Sequence, residues 1–492
     1  MTQLPRIFGT PLKRLLFVRL PFSPPSIGQV MAGLSVLGVA GLAYLCGAAV
    51  MYFQLPSCEF LDQAFTGAEA WRKRGQSTLP LLPPEAETDA RIRGEVVADN
   101  AEKTCDGFTL YTMTGKAQAT LIDMRGNVVH HWQMPFSRVW PHPSHVKDPL
   151  DDDQIHWFGC YLYGNGDLLA IYHADGDTPY GYGLVKLDKD SKLLWAYPGR
   201  VHHDIDVDED GVLYTLTHKL FREPSADLDF FPSPYLTDFL VVLSPDGREL
   251  ENIPLAQAFA KSPYALTLVS LASVSKLMVS SNRPKSKTAP PPASARMLRP
   301  PAPPQELKYD VLHANSVKVL KRARAAKFPL FQPGQVLLSL RNLDTIAVLD
   351  RPTRSIVWAA RGIWRAQHDA EFLDNGRLFL YDNCGQESRS RLLEYDLRTQ
   401  ATPWSYSNEN STSFQALYRG GKQRLPNGNT LIVDPDDRRL LEVTRSKELV
   451  WENYCPLPAD PPGLPRRSHA VNTARRYSAD ELTFLKGVVR VR

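Results

Sequence analysis

Three histidines occupy comparable places in the sequence, each just before an apolar strand. His203 lies in HHDIDVDEDG and His368 in QHDAEFLDNG, and each stands eight positions before the glycine of a predicted tight turn. His313 lies in DVLHANSV, between the other two. A neutral imidazole can attack an electrophile through one ring nitrogen, and it can also donate or accept a proton. The three histidines therefore predict nucleophilic or acid–base chemistry.

Arg341 is the candidate partner for a negatively charged substrate group. It follows the apolar run LLSL in SLRNLD. Its planar guanidinium presents paired donors to an oxyanion. The predicted substrate-binding residues adjoin the histidines in sequence: His202, Asn315 and Gln367. The set predicts a site that holds an anionic group beside a nucleophile.

A repeated unit carries these residues from about residue 105 onward. A tight Asn-Gly or Asp-Gly turn precedes one strand, and a later strand commonly ends in tryptophan, as at Trp358, Trp404 and Trp451. Asn-Gly and Asp-Gly supply the positive φ angles that tight hairpins need. A period of about 40–50 residues with several short strands is typical of a propeller. We therefore predict an all-β fold, a six-bladed β-propeller over residues 105–460.

The propeller explains how residues far apart in sequence can form one site. Each blade of a propeller begins with a strand beside the central axis, so residues just before that strand converge at one mouth of the channel. His203, His313 and His368 stand at three such blade starts. The recurring tryptophans are instead expected to wedge between adjacent blades as core residues.

The outer part of the chain resembles the arylsulfotransferase family. The resemblance implies a six-bladed propeller that moves a sulfuryl group from an aryl sulfate donor to a phenol or alcohol acceptor, without PAPS or any other cofactor. Weak similarity begins near residue 105, and the strings that carry most of the resemblance are HHDIDVDEDG, DVLHANSV, LLSLRNLDTIAVLD, QHDAEFLDNGRLFLYDNCG, SRLLEYDL, QRLPNGNTLI and LEVTRSKELVW.

The resemblance also assigns roles by position. It implies that His368 becomes covalently sulfated, and that His203, His313 and Arg341 hold the sulfate. The sequence contains no GxxxxGK[ST] phosphate loop, in keeping with a mechanism that needs no nucleotide.

Two basic stretches depart from the family pattern. Residues 283–308 are rich in proline and are expected to form a loop excursion from the propeller. A second segment, KVLKRARAAKFPLFQPG, is expected to separate His313 from its strand, where a short turn is usual.

An apolar segment near the N-terminus predicts a membrane anchor. Residues 30–53 contain no charged side chain, and about 20 apolar residues suffice for a spanning helix. The segment 1–29 is basic, so the positive-inside rule places it in the cytoplasm. The expected arrangement is a single-pass inner-membrane protein with a linker over 54–104, a periplasmic propeller and a basic C-terminal segment over 461–492.

Charge and cysteine content narrow the alternatives. The chain has 57 basic and 53 acidic residues, a balance that does not suggest a nucleic-acid partner. Its 6 cysteines form no CxxC pair, so neither a zinc cluster nor a redox motif is predicted. Two other functions remain open: a non-catalytic membrane-tethered scaffold, and a metal- or quinone-dependent propeller enzyme that uses the histidines.

Overall fold

The computed structural model describes the chain from residue 94 to residue 486, with gaps at 175, 177, 224–230, 232–233, 269–309, 386–388, 408–413, 417 and 457–468. The predicted spanning helix 30–53, the segment 1–29 and the Pro-rich stretch 283–308 lie outside the described residues. Among the described residues, no helix is both long and apolar enough to cross a membrane.

Short strands dominate the regular structure. Three short helices and two 3₁₀ turns lie wholly within the described connections: α1 (Phe136–Val139), α2 (Leu255–Ala260), α3 (Arg322–Ala325), Arg341–Leu343 and Thr483–Leu485. The strands, in chain order, are β1 (Val96–Asp99), β2 (Phe108–Met113), β3 (Gln118–Ile122), β4 (Val128–Gln133), β5 (His156–Leu162), β6 (Leu168–His173), β7 (Gly183–Leu187), β8 (Leu193–Tyr197), β9 (Val201–Val207), β10 (Leu213–Phe221), β11 (Tyr235–Leu243), β12 (Glu249–Pro254), β13 (Ala314–Val319), β14 (Val336–Leu340), β15 (Thr345–Asp350), β16 (Ser355–Arg361), β17 (His368–Phe372), β18 (Leu378–Asp382), β19 (Arg391–Tyr395), β20 (Trp404–Ser407), β21 (Lys422–Arg424), β22 (Thr430–Asp434), β23 (Arg439–Val443), β24 (Leu449–Tyr454) and β25 (Val471–Tyr477).

In the described part of the chain the strands form six antiparallel sheets, which are the blades of the predicted propeller. Blades two to five each take four consecutive strands, from β5–β8 to β17–β20. Blade one contains β25, β2, β3 and β4, and blade six contains β21–β24 with β1 added at its outer edge. The first strands of neighbouring blades contact each other around the axis, as β9 does with β5 and β13. The all-β, six-bladed propeller is therefore confirmed.

The ring closes by pairing the two ends of the propeller. β25 forms the inner strand of blade one and pairs with β2, which places Phe108 opposite Tyr477. β1 pairs with β24 of blade six. The sequence-based boundaries are therefore wrong at both ends, because parts of the 54–104 linker and of the 461–492 segment belong to blades. Closure pairs backbone groups that would otherwise form exposed strand edges.

Tryptophans of the outer strands bind turns of the adjacent blades, as the repeat predicts. The indole N–H of Trp132 in blade one donates to Gly166 O in blade two at 3.0 Å. The indole N–H of Trp451 in blade six donates to Met124 O in blade one at 2.9 Å. Each buried ring therefore fills the space between two blades and also satisfies its only donor.

The second basic segment lies far from the histidines. His313 directly precedes β13, and the segment connects β13 to β14 at the opposite end of the blade. The expectation that it separates His313 from its strand is therefore wrong. Its arginines pair with the acidic turns of both neighbouring blades: Arg322 Nη1 lies 2.7 Å from Asp210 Oδ2, and Arg324 Nε lies 2.6 Å from Asp374 Oδ1.

Candidate active site

Polar side chains from several blades line a cavity on the propeller axis. The cavity has a volume of about 120 Å³. Its wall includes His203, Asn315 and His368 from blades three, four and five, with Phe158 of blade two and Asn472 of blade one. The blade starts thus converge as expected, and they bring these three predicted site residues to one cavity.

Irregular pairing in the inner strands turns side chains toward this cavity. The register of β9 shifts between His202 and Ile205, and that of β17 shifts between His368 and Glu371. A bulge leaves extra residues unpaired and re-aims their side chains. His203 has a φ of 61°, in the left-handed region that costs a non-glycine residue about 1–2 kcal/mol. The surrounding packing must impose this conformation.

The register also revises the equivalence of two histidines. Counting from the turn glycines makes His203 and His368 equivalent. In the sheets, however, His368 pairs with Tyr381, and the residue that pairs at the corresponding position of blade three, opposite Leu216, is His202. The bulge of blade three sets two inner-strand residues against none in the partner strand, whereas that of blade five sets two against one, Leu380. With this larger bulge His203, not His202, reaches the cavity.

An amide fixes which ring nitrogen of His368 carries a proton. Its Nδ1 lies 2.7 Å from Oδ1 of Asn383. The amide nitrogen of Asn383 donates to Ala416 O and Arg419 O at 2.8 and 2.5 Å, so the amide oxygen faces the histidine. That acceptor requires an N–H on Nδ1 and leaves the lone pair on Nε2. Burial, aided by the nearby His313 and Arg341 charges, lowers the pKa of His368 to about 3, so its ring is neutral at pH 7.

A carboxylate holds His313. Its Nδ1 lies 2.6 Å from Asp310 Oδ2, and its backbone N–H donates to Asp310 Oδ1 at 3.1 Å. The hydroxyl of Tyr180 donates to the same Oδ2 at 2.5 Å. Burial raises the pKa of Asp310, but the charge and hydrogen bond of His313 and the hydrogen bond of Tyr180 outweigh that effect and bring the pKa below its usual value.

His203 connects to a buried carboxylate through His202. The two Nδ1 atoms are 2.7 Å apart, so one ring donates to the other. Nε2 of His202 lies 3.3 Å from Oδ1 of Asp238, whose Oδ2 accepts the N–H of Ala314 at 2.7 Å. Burial raises the pKa of Asp238, while burial and the charges of His202 and His313 lower the pKa of His203 well below its usual value. His202 is itself fully buried, behind the cavity wall.

Arg341 begins the 3₁₀ turn after β14, and the turn of His313 holds its backbone. The N–H of Arg341 donates to His313 O at 3.1 Å, and the side-chain amide of Asn342 donates to Asp310 O at 2.7 Å. The guanidinium carbon lies 5.4 Å from the ring centroid of Tyr418. Neither His313 nor Arg341 is part of the described cavity wall. The ring centroids of His313 and His203 are 5.0 Å apart, so His313 stands beside the cavity, and the charge of Arg341 is close enough to lower the pKa of His368.

The other two predicted substrate-binding residues tie blades four and five together. Gln367 is fully buried, and its amide nitrogen donates to Ser339 Oγ at 3.1 Å and to Thr345 O at 2.9 Å. Its backbone carbonyl oxygen accepts the side-chain amide N–H of Asn315 at 2.8 Å. Asn315 also lines the cavity, and its Oδ1 is buried without a partner among the described residues. Gln367 thus contacts protein, and Asn315 contacts both protein and cavity.

Sequence reasoning missed several residues that shape the site. Asn383 ends the string LFLYDN, and Asp310 stands three positions before His313, so both lie within or beside strings already singled out. Arg419 lines the cavity and donates to Asn472 Oδ1 at 2.6 Å. Tyr180 lies in a loop of blade two with no motif of its own. No group of three or more His, Cys, Asp or Glu side chains that could hold a metal ion occurs within the described ranges.

A protein-family model matches much of the chain. The model described as Arylsulfotransferase (ASST) matches residues 162–455, which is more than half of the chain. That range contains the histidines of blades three, four and five together with Arg341 and Asn383. No curated protein matches the sequence significantly.

Solved structures similar to this chain have low sequence identity. They include a protein of unknown function from Bacteroides caccae, with 11% identity and a TM-score of 0.41 over 71% of this chain and 93% of that one. A catalytically inactive variant of virginiamycin B lyase from Staphylococcus aureus, with quinupristin, shows 10% identity and a TM-score of 0.33 over 63% and 73% of the two chains. The WD40 β-propeller domain of Doa1 shows 12% identity and a TM-score of 0.35 over 75% and 88%. At these scores the likenesses carry no argument about function.

Proposed function

The chain belongs to the arylsulfotransferase family, and on that premise we propose that it transfers a sulfuryl group from an aryl sulfate to a phenol or alcohol through a sulfated His368. One observation carries the proposal. The amide of Asn383 holds a proton on Nδ1 of a neutral, buried His368, and this arrangement leaves the lone pair of Nε2 for the cavity.

In the first half-reaction His368 is the nucleophile. Nε2 forms a bond to sulfur, the bond between sulfur and the aryl oxygen breaks, and its electron pair passes to the aryl oxygen. Positive charge develops on the imidazole as the new bond forms. The hydrogen bond from Nδ1 to Asn383 strengthens with that charge, because hydrogen bonds from ionised donors are about twice as strong as neutral ones.

Three side chains are assigned to the sulfuryl oxygens. The transferred group spreads negative charge over its non-bridging oxygens, as in phosphoryl transfer, so preorganised donors lower the barrier. Arg341 supplies a guanidinium, and His203 and His313 supply ring N–H groups. His203 is a donor through Nε2 when His202 donates to its Nδ1. The buried pair of His202 and Asp238 can hold the proton that this arrangement requires.

In the second half-reaction an acceptor hydroxyl attacks the sulfur of the sulfohistidine. The bond between sulfur and Nε2 breaks, the electron pair returns to Nε2, and the hydroxyl proton passes to a neighbouring histidine. Donor and acceptor thus use one site in turn, which predicts ping-pong kinetics.

The decisive experiment combines labelling with turnover. The protein is incubated with a chromogenic aryl sulfate, with and without added phenol, and is then analysed by mass spectrometry. We expect one sulfuryl group on His368, which phenol removes. Absence of both label and turnover, in protein of normal fold, would favour a scaffold, and activity that depends on a bound metal would favour the metal-dependent alternative.

We further propose that the propeller lies outside the cytoplasm, anchored by residues 30–53. The uncharged span and the basic segment before it support this orientation. A reporter enzyme that works only in the periplasm should be active when it is fused to the C-terminus of the chain. Activity of a cytoplasm-only reporter at that position would contradict the orientation.

A further inference from the structure

The two histidines beside the nucleophile differ in what their Nδ1 atoms contact. His203 donates to, or accepts from, another imidazole, that of His202, at 2.7 Å. His313 instead contacts the carboxylate of Asp310 directly, at 2.6 Å. A carboxylate stabilises a ring that carries protons on both nitrogens, whereas a neighbouring imidazole does not.

The backbone also prepares His313 for one orientation. Its φ is 50°, in the left-handed region, and its N–H donates to the other carboxylate oxygen of Asp310. The backbone N–H of Val311 donates to Leu236 O of blade three at 3.0 Å, while Asn342 beside Arg341 binds Asp310 O. The turn is therefore held from blades three and four at once.

Tyr180 completes the contacts of the carboxylate. Its hydroxyl donates to Asp310 Oδ2, the same oxygen that contacts the imidazole, and its ring packs edge-on against His203 with centroids 4.7 Å apart. Burial and the neighbouring Asp310 and Asp238 charges keep the pKa of Tyr180 well above its usual value, so the phenol stays a donor. A buried carboxylate needs such additional donors to remain charged.

From these contacts we propose that Asp310, supported by Tyr180, is the positioning carboxylate that makes His313 the proton donor to the leaving phenolate and the proton acceptor for the incoming hydroxyl. The assignment rests on the proposed sulfuryl transfer. Because Nδ1 of His313 faces Asp310, its one remaining N–H serves the aryl oxygen in this assignment and not a sulfuryl oxygen. The sulfuryl oxygens are then bound by His203 and Arg341.

The proton balance closes over one cycle. In the first half-reaction Nε2–H of the doubly protonated His313 gives its proton to the aryl oxygen as the bond to sulfur breaks. His313 is then neutral, with its remaining proton on Nδ1 toward Asp310. In the second half-reaction Nε2 takes the proton of the acceptor hydroxyl as that oxygen bonds to sulfur, and His313 regains its starting state.

The test compares leaving groups. Phenol has a pKa of about 10, like the tyrosine side chain, so its departure benefits strongly from a proton, whereas the far more acidic 4-nitrophenol leaves readily as an anion. Rates of covalent labelling are measured with phenyl sulfate and with 4-nitrophenyl sulfate for the wild type, Asp310→Asn and Tyr180→Phe. Asp374→Asn, which removes an exposed carboxylate at the opposite end of the propeller, is the matched control.

For Asp310→Asn we expect a loss of about 10²-fold or more with phenyl sulfate, the usual contribution of general acid catalysis, and only a small loss with 4-nitrophenyl sulfate. Tyr180→Phe should show the same selectivity with a loss of about 10-fold, because it removes one hydrogen bond to a charged group. The Asp374→Asn protein should be labelled by both sulfates at the wild-type rate.

Equal slowing of both sulfates in both variants, or no slowing in either, would overturn the role of Asp310 and leave the sulfuryl transfer intact. A wild-type protein that labels with neither sulfate would instead overturn the proposed function, and this inference with it. Because Asn keeps an oxygen acceptor for the His313 N–H and Phe keeps the ring packing of Tyr180, folded protein is expected from both variants, and their melting temperatures check it.

Discussion

Two histidines near the cavity, His368 in its wall and His313 beside it, have the same ring in different electrostatic settings. In blade five an amide holds Nδ1 of His368, and in blade four a carboxylate holds Nδ1 of His313. Both contacts place a proton on Nδ1, so Nε2 is the nitrogen left for the proposed reaction. Only the carboxylate stabilises a second proton on the ring, so the amide favours a nucleophile and the carboxylate favours an acid.

The difference shows how one residue type can serve two halves of a reaction. Desolvation and the charges of His313 and Arg341 keep His368 unprotonated, while the carboxylate pair lies only one blade away. Neighbouring groups that differ in proton affinity are the usual basis of acid and nucleophile assignments. The proposed mechanism depends on this contrast more than on the number of histidines.

The largest expected effect comes from removing the nucleophile. His368→Ala should abolish both covalent labelling and turnover. The other histidine of the described cavity wall, His203, has its Nδ1 against an imidazole and not against an amide oxygen. Mass spectrometry after incubation with aryl sulfate, together with a steady-state assay, measures both. If the variant turns over substrate at the wild-type rate, His368 is not the nucleophile.

Removing a group that binds the sulfuryl oxygens should cost less. We expect Arg341→Ala and His203→Ala each to slow labelling by about 10²–10³-fold, the usual loss for one oxyanion donor. Labelling should still occur at His368, only more slowly, and with a similar loss for phenyl and 4-nitrophenyl sulfate. If a variant is labelled at the wild-type rate, the replaced residue does not donate to the sulfuryl oxygens.

Replacing the amide partner tests the blade-five side of the comparison directly. Asn383→Leu removes the nearer acceptor of Nδ1 and leaves Ala366 O, at 3.1 Å, as the other. We expect labelling to slow by about 10–10²-fold, from the roughly 1.5–3 kcal/mol of a hydrogen bond to a charged group. The loss should be equal for the two sulfates, unlike the selective loss expected for Asp310→Asn. Selective loss with phenyl sulfate would mean that the two sides do not differ in role.

Stability should depend on pH because neutral histidines are buried around the site. Burial lowers the pKa of His156 to about 3, against about 6.5 in the unfolded chain. Between these values the unfolded state binds more protons, so stability present above pH 6.5 is lost as the pH falls. Each such histidine should cost about 2 kcal/mol between pH 6.5 and pH 5.

Urea unfolding at pH 7 and pH 5 measures this loss. His156→Gln replaces a buried ring and should reduce the loss of unfolding free energy between pH 7 and pH 5 by the share of one histidine. The control His131→Gln replaces an exposed ring and should leave that loss unchanged. A wild-type protein equally stable at both values would show that these rings are not neutral in the folded state.

Much of this protein could be determined from its sequence alone. The Asp-Gly and Asn-Gly turns, the alternating strands and the recurring tryptophans such as Trp451 are local signals, and they determine blades and their number because each blade repeats the same short-range pattern. The positions of His203, His313 and His368 before their strands follow from the same repeat. Convergence at one mouth then follows from the geometry of any closed propeller.

The tertiary structure alone decided the contacts that give each ring its chemistry. Asn383, Asp310 and Tyr180 belong to three blades or their connections, and nothing in their local sequence indicates which histidine each one reaches. The larger bulge in β9 likewise placed His203 in the cavity and His202 behind it. Spacing in sequence could not reveal this, because it does not distinguish a bulge from a regular strand. Ring closure by β25 had no sequence signal either, because pairing with β2 depends on the two ends of the propeller meeting in space. Such contacts are set by which blades lie side by side, so they appear only when the whole ring is folded.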